Sequence, residues 1–400
     1  MKKTLTIFVP AILLCAALFT APAATTNARV AAQCADGGRL VTELGQRKQS
    51  SGTFTQGQRV LRVGELGAKY LRVRLRAQNA QGCRWFVTVR DGHYRVIETL
   101  TSRDFADPAS PTRWTARIPG DSAVLALDGC GGAASFPDVG YDQLLAMPDQ
   151  SSGTFYSSQD PDHPQFMPLY SSAFNADKPL GDYVGFLIGS YETRGWGCSG
   201  VVVAPDLFLT NWHCGRPDDA GFPDADVWGD KVKKDVIIDL SWDDDQLSRE
   251  FSVAEVAVKD KDLDFALLRI VPINATGEPR PATLRINPVS ANQQITIIHH
   301  PAGRQKQISS NCRVVSPSYA SWINKTAGTD FTHRCDTEGG SSGAPVFNAD
   351  GEVVGLHHRG FDFEPGTCKP DKLNKAVRIG KIYEYIKSAR PDLASKIETR

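Results

Sequence analysis

The chain has 400 residues, of which 41% are hydrophobic, 9% aromatic and 22% charged. Its 45 Lys and Arg residues balance 45 Asp and Glu residues, so a net charge of zero gives no global case for nucleic-acid binding. A chain of this length is long enough for two domains with separate cores.

The first 23 residues have the pattern of a secretory signal peptide. Lys2 and Lys3 precede an apolar run over residues 5–19, and Ala21-Pro22-Ala23 ends in the small residues of a cleavage site. The apolar run is too short to favour a membrane span. We therefore predict cleavage after about Ala23, a secreted or periplasmic protein, and no membrane-spanning segment.

Eight of the nine cysteines follow this segment, at positions 34, 83, 130, 198, 214, 312, 335 and 368. An even number of cysteines in an exported chain indicates disulfides rather than metal ligands. We predict the pair Cys198–Cys214, which would join the turn at His213 to the strand before it. The hypothesis for the remaining six is Cys83–Cys130, Cys312–Cys335 and Cys34–Cys368.

Residues 34–134 contain short stretches typical of strands and no helical period. Residues 70–76 alternate strictly, with Leu and Val on one face and Arg on the other. Similar stretches follow at residues 85–89, 95–100 and 123–127, and Asp91-Gly92 and Asp128-Gly129 supply turns. This pattern predicts a small antiparallel β-sandwich as an accessory domain.

The same segment is basic, with 15 Lys and Arg against 9 Asp and Glu over residues 34–134. One hypothesis is that it holds the protein to an anionic surface, such as a cell envelope or a polyanionic matrix. The alternative is that the arginines form a solvated outer sheet face, where they prevent edge aggregation. Residues 135–179 are rich in Ser, Pro, Asp and Gly, which predicts a linker.

Strand patterns return after residue 180, and many short strands separated by turns indicate barrels or sandwiches. They lie at residues 184–188, 200–203, 236–240, 251–258, 265–270 and 353–356. Apolar residues between 377 and 386 then recur at roughly helical spacing until Pro391, which predicts a C-terminal helix.

Three motifs in this region carry the residue types that acyl transfer requires. A serine hydroxyl needs an imidazole to take its proton, and the imidazole needs a carboxylate to fix its tautomer. The developing oxyanion needs backbone N–H donors, which a glycine-permissive turn beside the serine can supply. The motifs are Thr210-Asn211-Trp212-His213-Cys214, Asp262-Leu263-Asp264-Phe265 and Gly340-Ser341-Ser342-Gly343-Ala344-Pro345.

These motifs resemble the histidine, aspartate and Gly-x-Ser-Gly-x-Pro signatures of bacterial trypsin-like serine proteases, and they occur in the family's order. The resemblance covers residues 180–390. It implies an all-β, chymotrypsin-like double β-barrel with a C-terminal helix. It also implies an endopeptidase with a triad of His213, Asp264 and Ser342, and an oxyanion hole formed by the N–H groups of Gly340 and Ser342.

The family pattern selects Ser342 over Ser341, because Ser341 is not followed by the glycine that the pattern demands. It also favours Asp264 over Asp262, because Asp264 directly enters the apolar strand. Ser341 stands where vertebrate-type trypsins keep an aspartate that pairs with the new N-terminal ammonium. The resemblance therefore does not extend to that mode of activation.

Two features of the sequence favour different substrates. Asp336 lies six residues before Ser342, where trypsins place the aspartate that binds Arg or Lys side chains. Residues 342–357 instead resemble bacterial glutamyl endopeptidases, in which residues at the positions of His357 and Thr337 receive an acidic side chain. Asp336 and His357 could also pair with each other and leave a neutral pocket, so the preference stays open.

We expect no metal or cofactor. The pairs His299-His300 and His357-His358 lack the spacing of a zinc site, and Asp243-Asp244-Asp245 is interpreted as a solvated loop. The expected partners are protein or peptide substrates. The alternative to an active enzyme is a catalytically inactive binding protein of the protease fold, anchored by its N-terminal domain.

Overall fold

The computed structural model describes residues 42–43, 46–48, 50–78, 83–106, 111–130, 136–148, 166–191, 194–217, 221–243, 249–275, 277–321, 323–360 and 373–400. The predicted signal peptide and the hypothetical pair Cys34–Cys368 lie outside these residues. Among the described residues, no helix combines the length and apolar character needed to cross a membrane.

The N-terminal half folds into two antiparallel sheets, as the alternating pattern predicts. One has the strand order β4-β10-β6-β7, and the other has the order β2-β11-β5-β8 with β3 and β9 at its side. The strands are β1 (Thr42–Glu43), β2 (Gln46–Lys48), β3 (Gly52–Thr53), β4 (Val60–Gly64), β5 (Ala68–Gln78), β6 (Trp85–Asp91), β7 (Val96–Thr101), β8 (Thr112–Trp114), β9 (Ile118–Pro119), β10 (Ser122–Gly129) and β11 (Asp138–Pro148). A 3₁₀ turn at Ser102–Phe105 follows β7.

The two sheets share one apolar core, because inward positions on both are hydrophobic. Leu71, Val73 and Leu75 of β5 are fully buried against Val87, Val89 and Leu125 of the other sheet. The alternation of apolar and polar residues in β4, β5 and β6 thus explains which face of each strand turns inward.

The arginines of β5 differ from both hypotheses made from the sequence. Arg72 is fully buried and pairs with Asp239, 3.2 Å away, and with Glu250. Arg74 is half-buried and bonds Asp142 at 2.8 and 2.9 Å. The arginine side chains are therefore neither a solvated face nor a surface for an anionic partner, because acidic groups of this chain already neutralise them.

The segment predicted as a linker contributes a long strand to the sandwich. Within residues 135–179, β11 pairs with β5 along most of its length, with a bulge between Tyr141 and Gln143. The bulge breaks the alternation that identifies strands in a sequence, which is why composition alone indicated a linker.

The second half forms a chymotrypsin-like pair of β-barrels, which confirms the predicted fold class. The first barrel closes six strands in the order β14-β13-β16-β17-β18-β15, with β15 pairing back onto β14 and β1 adding to β14. Its strands are β13 (Val184–Tyr191), β14 (Arg194–Ala204), β15 (Leu207–Thr210), β16 (Ile237–Asp239), β17 (Arg249–Asp260) and β18 (Phe265–Ala275).

The second barrel is a more open sheet with the order β12-β20-β19-β22-β23-β24-β21. Its strands are β12 (Phe166–Pro168), β19 (Gln294–His299), β20 (Gln307–Arg313), β21 (Asp330–His333), β22 (Pro345–Phe347), β23 (Val353–Arg359) and β24 (Asn374–Arg378). Short 3₁₀ turns lie at Ser172–Phe174, His213–Gly215, Asp224–Asp226 and Pro301–Gly303.

Within the described part of the chain, four short or amphipathic helices are present: α1 (Lys178–Gly181), α2 (Asp230–Lys233), α3 (Ile379–Ala389) and α4 (Pro391–Ala394). The predicted C-terminal helix is α3, which buries Ile379, Ile382 and Ile386 in a core that also contains Leu209 and Leu356. The helix therefore packs where strands of both barrels meet.

Three disulfides are present among the described residues. They join Cys83 to Cys130 in the sandwich, Cys198 to Cys214 in the first barrel, and Cys312 to Cys335 in the second. The Cys198–Cys214 bond connects β14 to the 3₁₀ turn that begins at His213. It thereby restricts the backbone beside that histidine.

Candidate active site

The structure brings His213 and Asp264 into direct contact. His213 opens the 3₁₀ turn after β15, and Asp264 ends the turn between β17 and β18. The two elements are neighbours because β15 pairs with β18, from Leu207 opposite Arg269 to Thr210 opposite Ala266. His213 Nδ1 lies 2.8 Å from Asp264 Oδ2, and the His213 backbone N–H donates to Asp264 Oδ1 at 3.0 Å.

Asp264 is held in an unusual backbone conformation. Its φ angle is +47°, in the left-handed region that few non-glycine residues adopt. The Asn211 side-chain amide donates to the Asp264 carbonyl oxygen at 2.8 Å, and the Asp264 backbone N–H donates to the Lys261 carbonyl oxygen at 3.1 Å. Strain of this kind concentrates at functional sites, where surrounding contacts maintain it.

These contacts fix the tautomer of His213. Burial raises the pKa of Asp264, but interactions with His213 and His358 outweigh this effect and hold that pKa well below its usual range. An ionised Asp264 accepts only, so His213 Nδ1 must carry the hydrogen and Nε2 must carry the lone pair. His213 Nε2 is buried and makes no hydrogen bond within the described part of the chain. The ring can therefore accept a proton at Nε2.

The loop of Ser342 is held against the first barrel. The Ser342 carbonyl oxygen accepts from the Ser199 backbone N–H at 2.7 Å and lies 3.9 Å from Cys214 Sγ, next to His213. Gly343 has a φ angle of +84°, and a Cβ there would lie 2.1 Å from the Ser199 carbonyl oxygen. Only glycine allows this close approach of the loop to β14.

The peptide between Gly339 and Gly340 has a fixed orientation. The Ala302 N–H donates to the Gly339 carbonyl oxygen at 2.6 Å. Since the two ends of a trans peptide point in opposite directions, the Gly340 N–H points away from Ala302. Gly340 has a φ angle of +93°, and a Cβ there would lie 2.6 Å from the His300 carbonyl oxygen. The loop can thus aim a backbone donor in a defined direction.

Ser341 is the centre of a buried hydrogen-bonded chain. Its Oγ accepts from the Glu338 backbone N–H at 3.0 Å and lies 2.7 Å from His299 Nδ1. Burial lowers the pKa of His299 well below its ordinary value, so the ring is neutral. Ser309 Oγ donates to the Asp336 carbonyl oxygen and lies 3.5 Å from His299 Nε2, so Nε2 carries the hydrogen and Nδ1 accepts the Ser341 hydroxyl hydrogen. The sequence showed an unexpected serine at this position but gave no indication of its partner on β19.

His357 forms a second chain with His333. The Cys335 N–H donates to His333 Nδ1 at 3.2 Å, and His333 Nε2 lies 3.3 Å from His357 Nδ1. His333 therefore donates from Nε2, and a neutral His357 carries its own hydrogen on Nε2. Burial lowers the pKa of His333 to about 3 and that of His357 well below its ordinary value. Both rings are uncharged at neutral pH.

Asp336 and Thr337, the other two predicted substrate-binding residues, are also buried. The Asp336 carbonyl oxygen accepts from Ser309 Oγ at 2.6 Å. Among the residues described, the His357 ring bonds His333 and not Asp336. The direct pairing of Asp336 with His357 that the sequence allowed is thus not formed.

His358 is a site residue that the sequence reasoning missed. In the sequence it belongs to the pair His357-His358, which lacks the spacing of a zinc site. Its Nδ1 lies 3.2 Å from Asp264 Oδ2, the oxygen that also contacts His213. The sequence gave no indication of this contact, because Asp264 and His358 lie 94 residues apart in the chain.

One group of side chains near the site has metal-like spacing. The ligand atoms of Cys198, His213 and Cys214 lie within 4.8 Å of one another. The two sulfurs form a disulfide, however, and a disulfide offers no thiolate to a metal ion.

Comparison with known proteins agrees with this geometry. Residues 198–356 match the family described as trypsin-like peptidase domain. Residues 198–356 therefore form a trypsin-like peptidase domain. The matched segment includes His213, Asp264 and Ser342 and ends at Leu356.

Relatives of the peptidase domain include proteases. The chain is 24% identical over 226 residues to the glutamyl endopeptidase of Staphylococcus epidermidis, covering 55% of this chain and 72% of that protein. It is 33% identical over 114 residues to secreted RxLR effector protein 73 of Plasmopara viticola, covering 27% of each. The family match and the glutamyl endopeptidase relative confirm the predicted class of a trypsin-like serine protease.

A solved structure with a similar chain is the active form of the Rv3671c protease from M. tuberculosis. It has 16% sequence identity and a TM-score of 0.39, covering 54% of this chain and 84% of that chain. The sandwich domain lies outside the matched family segment.

Proposed function

We propose that the protein is a secreted serine endopeptidase that uses Ser342, His213 and Asp264 as a catalytic triad. The observation that carries this proposal is the contact of His213 Nδ1 with Asp264 at 2.8 Å, with the buried Nε2 left able to accept a proton. The predicted signal peptide and the disulfides support an oxidising, extracytoplasmic location.

In the proposed reaction Ser342 Oγ attacks the carbonyl carbon of the scissile peptide while His213 Nε2 takes its proton. The N–H groups of Gly340 and Ser342 stabilise the negative charge that develops on the carbonyl oxygen. His213 then gives the proton to the leaving amine, which leaves an acyl-enzyme on Ser342. A water molecule, activated by His213, hydrolyses the acyl-enzyme and restores the free serine.

A fluorophosphonate probe tests this proposal directly, because it labels only serines that a base has activated. We expect the mature protein to be labelled at Ser342, as mapped by mass spectrometry of the tryptic peptides. Ser342→Ala should remove the label and lower kcat by roughly a million-fold. An unlabelled, correctly folded protein whose biological activity survives Ser342→Ala would instead support the inactive binding protein.

For the substrate, we propose a preference for peptides with an acidic side chain before the cleaved bond. His357 carries its hydrogen on Nε2, for which the described residues offer no partner, so it can donate to a carboxylate. Thr337, 20 residues before His357 in the chain, offers a buried hydroxyl as the second predicted group. The name of the Staphylococcus epidermidis relative agrees with this preference.

Cleavage profiling on a peptide library tests this preference. We expect cuts after Glu and Asp, and a loss of about 10- to 100-fold in kcat/KM for a Glu substrate in His357→Leu, the effect of removing one charge-assisted hydrogen bond. Asp336→Asn is the matched control. Cleavage after Lys or Arg that disappears in Asp336→Asn would show that Asp336 determines the specificity instead.

A further inference from the structure

Asp264 has a second imidazole partner that the proposed reaction does not use. His358 Nδ1 lies 3.2 Å from Asp264 Oδ2, and His358 Nε2 lies 3.0 Å from Asp330 Oδ2. The His358 ring and the carboxylates of Asp264 and Asp330 are all buried. Four side chains therefore form one continuous chain, in the order Asp330, His358, Asp264 and His213.

The geometry requires a charged His358. A neutral imidazole has one N–H, so it can donate to only one of two carboxylates that face its two nitrogens. Burial lowers the pKa of His358, but Asp330 and Asp264 outweigh this effect and raise that pKa to about 9. The ring is then an imidazolium at neutral pH, and each of its N–H groups has an anionic acceptor.

The other ionisable groups around His358 come from several elements. Asp264 belongs to the first barrel, and its Oδ2 also contacts His213 Nδ1. From the second barrel, Asp330 and His333 of β21 and His357 of β23 lie near the ring, and the two neighbouring histidines are neutral. His358 is therefore a cation that shares the Asp264 Oδ2 oxygen with His213.

A strand irregularity directs His358 to this place. In the pairing of β23 with β24, His357 lies opposite Ala376 and Arg359 lies opposite Lys375, so a bulge falls at His358. Bulges re-aim side chains and are common next to active sites. Here the bulge sends one histidine of the second barrel to the aspartate of the first.

We propose that His358, held by Asp330, is a positioning residue for the triad: it fixes Asp264 toward His213, and its charge sets the acidic limit of the activity. This inference rests on the proposed function. A cation that shares Asp264 Oδ2 with His213 opposes a second positive charge on His213. The enzyme should thus stay active in more acidic solution.

The double variant His358→Gln/Asp330→Asn tests this role. It removes the cation together with its distal carboxylate, so no new buried charge is left without a partner. We expect the acidic limb of kcat/KM, which reports deprotonation of the general base, to move upward by roughly one pH unit. If His358 had a merely structural role, its replacement would lower the maximal kcat/KM or the melting temperature and leave the midpoint of the acidic limb unchanged. That result would overturn the inference.

His300→Gln is a matched control for the loss of a buried imidazole. His300 Nδ1 bonds the Arg304 carbonyl oxygen at 3.0 Å, and burial lowers its pKa to about 3, so this replacement removes no charge. We expect the acidic limb to keep its midpoint in this variant. An equal shift in both variants would assign the effect to general loosening of the site and would contradict the proposal.

Nitrogen NMR of the histidine rings in the full mature chain separates this inference from the proposed function. In Ser342→Ala, both ring nitrogens of His358 should be protonated at pH 7.5, and adding His358→Gln/Asp330→Asn should raise the pH at which His213 titrates. If Ser342 is labelled but His358 is neutral, or the titration of His213 is unchanged in the variant, the inference is contradicted and the proposed function is not. If Ser342 is not labelled but the histidines titrate as expected, the proposed function is contradicted and the inference about His358 is not.

Discussion

Ser341 shows how a single side chain can support the nucleophile loop. Its hydroxyl joins the Glu338 backbone N–H to His299 Nδ1, at 3.0 and 2.7 Å. In vertebrate-type trypsins the residue at this position pairs with a new N-terminal ammonium. Here the partner is a neutral, fully buried imidazole of β19, which is present before any cleavage of the chain. The loop therefore requires no new terminus to hold Ser341 in place.

We expect Ser341→Ala to lower both stability and activity. The substitution leaves the Glu338 N–H and His299 Nδ1 buried without a partner, and each costs about 1–3 kcal/mol. The loop that carries Ser342 would then shift, with a loss of roughly tenfold or more in kcat/KM. Urea unfolding and peptide hydrolysis measure the two effects.

Ser316→Ala serves as the control for Ser341→Ala. Ser316 Oγ makes an exposed hydrogen bond to the Ser318 carbonyl oxygen on the same barrel. Its removal should change the unfolding free energy by less than about 0.5 kcal/mol. Wild-type kcat/KM in Ser341→Ala would show that the chain through His299 has no part in holding the loop.

At this scale the sequence offered candidate residues but not their partners. Local motifs proposed His213, Asp264 and Ser342, because each lies in a short pattern that the chain itself displays. His299, the partner of Ser341, lies 42 residues away from it in the chain. His358, the second partner of Asp264, lies 94 residues away. Only the folded pairing of strands brings them together, so no local pattern could announce them.

At the scale of elements, β23 organises both sides of the site. His357 faces His333 toward the proposed substrate pocket, while His358 faces Asp264 and Asp330. The same strand receives the nucleophile loop, because the Gly343 N–H donates to the His357 carbonyl oxygen at 2.8 Å. The strand β23 thus carries His357, accepts a hydrogen bond from the loop of Ser342 and contacts Asp264 through His358.

Two of the strands that the sequence predicted correctly have unbroken alternation. Residues 70–76 and 123–127 lie in β5 and β10, where every second residue faces a common core. The prediction failed for β11, whose bulge near Asp142 interrupts the period. It also gave a wrong environment for the β5 arginines, since alternation shows which residues share a face and not what covers that face.

At the scale of the whole molecule, the sandwich is fixed to the first barrel. Tyr70 and Trp242 meet with ring centroids 4.7 Å apart, and the Trp242 indole N–H donates to the Gly303 carbonyl oxygen at 2.9 Å. The apolar side chains of this interface are Tyr70, Trp114, Leu145, Met147, Phe186, Ile188, Ile237 and Trp242. Gly303 follows Ala302, which holds the Gly339 carbonyl oxygen. The interface therefore reaches the loop that would carry the oxyanion donors.

Arg72→Met tests whether this interface joins the two units into one cooperative structure. Arg72 is fully buried between Asp239 and Glu250, and burial already raises the pKa of Glu250. Removing one partner of a buried ion pair leaves an uncompensated charge and costs about 3–5 kcal/mol. Calorimetry of the full mature chain should therefore show a lower melting temperature, with the sandwich and the barrels unfolding in separate transitions.

The control for Arg72→Met is Arg62→Met, which removes an exposed arginine of β4 whose guanidinium contacts Tyr94. An exposed contact of this kind contributes about 1 kcal/mol or less, so the single transition of the wild type should persist in this variant. Equal effects of the two substitutions would mean that the sandwich is only loosely attached. A selective effect of Arg72→Met would instead mean that the buried ion pairs of Arg72 join the sandwich and the barrels into one cooperative structure.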